Sequence, residues 1–125
     1  MKLVLLALAL SACGTDDRPP TLGYITETIF VPNCSSAFCH SSLKRAGGYA
    51  FDTVANAEDS IKSLPLIATC PVPPCDNAPG ESYLLTVITD KDIYGNRMPY
   101  DQPLPNLDAV LIAQWITDGA PGYTP

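Results

Sequence analysis

The stretch on which the reading of this chain turns is CSSAFCH, residues 34–40: two cysteines with four residues between them and a histidine directly after the second. Five positions along a regular helix turn the chain through about 500°, or about 140° net, so Cys34 and Cys39 would point to different sides. If both thiols serve one group, the segment between them is a bulged loop, and Ser35, Ser36 and Ala37 are small enough to form one. The alternative is a local disulfide beside His40, the only histidine in the chain.

Helix signals flank this stretch. Upstream, Thr21 is placed to cap a helix carrying Leu22, Ile25, Ile29 and Phe30 largely on one face, until Pro32 stops it. Downstream, Gly47 and Gly48 break the chain, and Asp52 or Thr53 caps a second helix with Val54, Ala57, Ile61 and Leu64 at helical spacing. The segment from Pro65 to Pro79 holds five prolines and includes CPVPPC, so it reads as loop, since proline suits neither a helix interior nor a central strand. Ser82 to Ile88 fits a short helix or strand by periodicity and is read as helix, because no partner strand is evident. Asp90 to Pro105 is turn-rich. Asn106 then caps the clearest helix, Leu107 to Asp118, with Leu107, Val110, Leu111, Trp115 and Ile116 inward and Gly119 as its left-handed stop.

The expected class is therefore all-α, with a helix at each end, one or two shorter ones between, and long proline-rich loops. Loops of that length are uncommon in a compact domain unless something organises them. Three phenylalanines, six tyrosines and one tryptophan make a thin core for so much loop. A planar apolar cofactor would supply the missing interior.

The chain opens MKLVLLALALSAC: one Lys2, an apolar run from Leu3 to Leu10, then small residues before Cys13. That is the order of a secretory signal, and the run is too short for a bilayer span of about 20 residues. Leu10-Ser11-Ala12-Cys13 resembles the lipobox of bacterial lipoproteins, which implies removal of residues 1–12 and acylation of Cys13. Residues 13–20 then read as a tether and 21–125 as one domain. Loss of Lys2 from seven basic residues leaves six against 13 acidic ones, a net charge of −7, which makes nucleic acid a poor partner. Export also places the remaining thiols in an oxidising compartment, where they are expected to be used up.

Covalent haem needs two thiols and an adjacent histidine that reaches the iron. Cys34, Cys39 and His40 offer those groups in that order. Met98, within Arg97-Met98-Pro99, is the only methionine beyond the leader and lies in a turn-rich segment with no helical face to pack on. A thioether from such a loop is a common sixth ligand. Cys34–His40, Pro79-Gly80-Glu81-Ser82-Tyr83-Leu84, Arg97-Met98-Pro99, Leu104, Trp115-Ile116 and Gly119-Ala120 together resemble the small c-type cytochrome-like domains of exported bacterial proteins, including lipoproteins of myxobacterial type. The resemblance covers roughly residues 24–121. It implies a cytochrome c-like fold whose first and last helices cross, one haem c on Cys34 and Cys39, and His40 and Met98 as axial ligands. The four-residue spacing departs from the family motif, and a relative could use the same two cysteines as a disulfide.

Cys70 and Cys75 share that spacing but no histidine follows, and prolines 71, 73 and 74 stiffen the loop, so they are expected to pair with each other. A zinc site at Cys34, Cys39, His40 and a further cysteine is disfavoured by the oxidising compartment. No carboxylate pair, nucleophile elbow or phosphate loop argues for an enzyme. The expected function is single-electron transfer at the cell envelope, between other envelope redox proteins, by a domain held to the membrane through its lipid. The competing reading is a haem-free, disulfide-stapled lipoprotein acting as an interaction module.

Overall fold

The computed structural model describes residues 16–63, 66, 67, 79–90 and 97–124. All regular elements among the described residues are helical, in accord with the expected all-α class. Cys13, the Cys70–Cys75 pairing and Leu64 lie outside the described residues.

The first helix, α1, spans 22–34 in three parts: an α-helical turn Leu22–Ile25, a π turn Thr26–Phe30 and a second α-helical turn Val31–Cys34. Thr21 caps it as expected, accepting the Tyr24 N–H at 3.4 Å. Pro32 does not stop it. A proline normally clashes with the carbonyl four residues back, and the wide turn just ahead of Pro32 moves that carbonyl off the regular path. The helix therefore continues far enough to end on Cys34. Its inward side is Leu22, Ile25, Thr26, Ile29 and Phe30, spaced three and four apart.

Helix α2 is Val54–Ser63, and of its two candidate caps Thr53 is the one used, with its hydroxyl accepting the Asn56 N–H at 3.1 Å. Asp52 instead accepts the Ser42 N–H at 2.7 Å and so secures the loop that follows His40. Ser60, buried on α2, donates to the Ala50 carbonyl at 2.9 Å and accepts the Ala50 N–H at 2.8 Å, satisfying three polar groups inside the core. Helix α3, Tyr83–Thr89, follows a 3₁₀ turn at Pro79–Glu81 and buries Leu84, Val87 and Ile88. The segment read as helix on the absence of a partner strand is a helix.

Helix α4 is Asn106–Thr117, with Pro105 in the cap position and Asn106 already helical. Two of its expected inward residues face out: Leu107 is 64% and Val110 58% exposed. The core-facing stripe is Leu111, Ile112, Trp115 and Ile116, and at 100° per residue Val110 lies roughly 170° from the centre of that stripe. Gly119 ends the helix at φ 85°, a left-handed conformation that costs a residue without Cβ little. The chain then turns back, so that the Pro121 carbonyl accepts both the Leu22 N–H at 2.9 Å and the Trp115 indole N–H at 3.0 Å. One oxygen thus ties the start of α1 to the end of α4.

Residues 16–20, the second half of the expected tether, carry an anchor of their own. The Arg18 guanidinium pairs with Asp108, donates to the Leu107 carbonyl at 2.9 Å and is held from the other side by Asp16.

Candidate functional site

The end of α1 and the loop after it bring Cys34, Cys39 and His40 together by backbone bonds alone. His40 N–H donates to the Cys34 carbonyl at 2.9 Å, a bond spanning six positions that folds the chain back onto the helix end. Cys39 N–H donates to Ser36 at 2.9 Å, so the residues between the cysteines form a closed bulge from which Phe38 projects, 86% exposed. Beyond it, Ala46 N–H donates to Cys39 at 3.1 Å and Phe51 N–H to His40 at 2.7 Å. Both peptide groups that flank His40 are therefore fixed. The residues between the cysteines are taken up by the bulge, while His40 stays bonded to Cys34.

The imidazole is oriented as firmly as its backbone. Nδ1 lies 2.9 Å from the Ala46 carbonyl, which can only accept, so Nδ1 bears the proton and the neutral ring presents its lone pair at Nε2. Burial lowers the His40 pKa below its usual value, against the opposing pull of the Ala46 and Tyr49 carbonyls. The uncharged ring is the favoured form. Tyr49 and Phe51 meet it edge-on, with ring centroids 5.7 and 5.5 Å away, and they stack on each other at 6.2 Å. Phe51 also packs on Phe30 at 5.1 Å, so the histidine loop is built on the buried side of α1.

Met98 comes from a segment far along the chain. Its N–H donates to the Val87 carbonyl at 2.7 Å, which docks the 97–100 segment on α3, and its half-buried side chain packs against the core. Cys34, Cys39, His40 and Met98 line one cavity of about 640 Å³, with Tyr83 and Tyr100 also on its wall. That volume falls within the roughly 300–1,000 Å³ of ligand and cofactor clefts. A smaller void of about 70 Å³ shares Cys34, His40, Tyr49 and Met98 with it and is also lined by Leu66, Leu84 and Val87.

The chemistry of the cleft favours neutral sulfur. Burial, with Cys39 adding to it, pushes the Cys34 thiol up to about 12, so the neutral thiol is its resting form. Among the described residues no three His, Cys, Asp or Glu side chains are grouped to hold a metal ion. Cys34 and Cys39 are unbridged thiols, available either for thioether bonds or for a disulfide. A neutral thioether carries no charge into this wall. The residue set fits a haem: two thiols, a neutral imidazole with its second nitrogen tied to a carbonyl, and a thioether lining the same cleft.

The aromatic walls were not among the expected site residues. Tyr49 and Phe51 did carry a signal, because they alternate directly after Gly47-Gly48 and so point to one side of an extended chain. Tyr83 entered only within the resembling Pro79–Leu84 stretch, and Tyr100 carried no signal. Compared with protein-family models, curated proteins and solved structures, the chain has no match.

Proposed function

We propose that this chain is a membrane-anchored, monohaem c-type cytochrome that carries single electrons between redox proteins of the cell envelope. The observation that carries the proposal is convergence. Cys34, Cys39 and His40 meet Met98, far along the chain, on the walls of one cleft. In this reading Cys34 and Cys39 hold one haem c through thioethers, and His40 Nε2 and Met98 Sδ bind its iron. The bound iron supplies a one-electron couple, and a methionine ligand favours the reduced state.

The chain's own residues do the rest. The Ala46 carbonyl holds the His40 ring in one tautomer and keeps it basic toward a metal. Leu66, Leu84, Val87 and Ile88 make the adjoining void apolar, and an apolar wall disfavours a gain of charge. Cys13 as the lipidated residue holds the domain at the membrane, and no enzymatic step is assigned to it.

The test is the mass and absorption spectrum of protein matured with a haem-attachment system. Added haem mass and a c-type spectrum are expected. A colourless product two hydrogens light at Cys34 and Cys39 would mean a disulfide, and the function would pass to the haem-free interaction module.

A further inference from the structure

We infer that the Leu107–Val110 side of α4 is the face with which the domain rests on a lipid bilayer, its orientation set by Arg18. The inference takes from the proposed function only the acylation of Cys13, and does not depend on haem. Between Leu107 and Ile116 only Asp108 and Gln114 are polar, so α4 is apolar on nearly every side. A helix of that composition is normally buried all round. Here Leu107 and Val110, one turn apart, remain 64% and 58% exposed.

The place where the chain leaves the fold says what covers them. Arg18 is fixed to Asp108 and to the Leu107 carbonyl, the same turn that presents the two apolar side chains. Cys13 is five residues upstream of Arg18, so a lipidated Cys13 sits at most about 18 Å from the Arg18 backbone, less than the thickness of a bilayer. Acyl chains entering the membrane at that radius bring this end of α4 to the lipid surface and leave the other faces in water. Asp16 and Asp108 both pair with the one arginine, so the contact presents no excess positive charge and does not call for anionic lipid.

The experiment uses the acylated chain in phosphatidylcholine nanodiscs, with methyl-labelled leucine and valine and a spin-labelled lipid. The Leu107 and Val110 methyl signals should be lost to paramagnetic broadening. Leu43, 88% exposed in the loop after His40, should keep its signal. Arg18→Ala should restore the Leu107 and Val110 signals while the protein stays in the nanodisc. Sharp Leu107 and Val110 signals in anchored wild-type protein would overturn the inference and leave the lipid anchor standing. So would broadening that follows protein concentration rather than lipid spin label, which would mean a second copy covers the face. Broadening that survives Arg18→Ala would remove the role of the arginine. Protein that is unacylated and outside the nanodiscs would overturn both the anchor and the inference.

Discussion

The two walls of the cleft are built by different means. On the histidine wall, residues 34–51 are linked at short range by backbone bonds that involve Cys34, Ser36, Cys39, His40, Ala46 and Phe51. Among the described residues, Met98 is tied by one backbone bond, to Val87 on α3, and its side chain packs against the core. A wall made of local bonds closes short loops and is in place once its own turns form. A wall made of distant packing exists only when α3 has docked. The lesson is that one residue of the cleft, His40, is held rigidly by the chain around it, while another, Met98, is held by the fold.

The largest effect should come from breaking the histidine wall at its joint with the core. Phe51 is 5% exposed and touches Phe30, Tyr49 and His40, so Phe51→Ala should cost about 3–5 kcal/mol. Urea unfolding would show it as a lower midpoint with little change in slope. If the loss is under a kilocalorie, the wall does not depend on this aromatic joint.

Met98→Ala tests the other side. The residue is half-buried, so truncation should cost about 1–2 kcal/mol, below the range for a full core site. With haem attached, the covalent bonds should survive while the absorption spectrum reports an open sixth position and the potential falls. An unchanged spectrum would assign the sixth ligand to another residue.

Gly47→Ala should cost about 1 kcal/mol, because φ is +64° and the added methyl would stand 3.2 Å from the Tyr49 ring. Since Tyr49 lines both cavities, near-ultraviolet circular dichroism should change with it. No such change would show that the ring moves aside freely.

The smallest effect is a pH dependence. Hydrogen bonds from Ser42, and then Asn56, hold the Asp52 carboxyl down to about 2 from an ordinary 3.8. A carboxylate with a depressed folded-state value stabilises the fold above its unfolded value. Its contribution is therefore complete above about pH 4 and is lost as pH falls toward 2. Thermal midpoints measured across that window should fall more steeply for wild type than for Asp52→Asn. Equal slopes would show that Asp52 does not tie the histidine loop.

The sequence was legible at most places where the determining forces are local, although the expected cap Asn106 is already helical behind Pro105. Thr21, Thr53 and Gly119 mark helix ends because a cap or a left-handed turn needs only neighbouring atoms. Cys34, Cys39, His40 and Met98 could be singled out because thiol, imidazole and thioether chemistry belongs to the residue types themselves. Tertiary structure decided what depends on groups distant in sequence. The π turn carried α1 past Pro32, where local rules placed a stop. The core selected Leu111, Ile112, Trp115 and Ile116 from a helix apolar on nearly every side, and left Leu107 and Val110 outside. A hydrophobic residue carries no label for which side will be covered, since burial is a property of the neighbours that arrive. Arg18 found Asp108 across the fold for the same reason, and Met98 met the histidine loop only because α3 packs where it does.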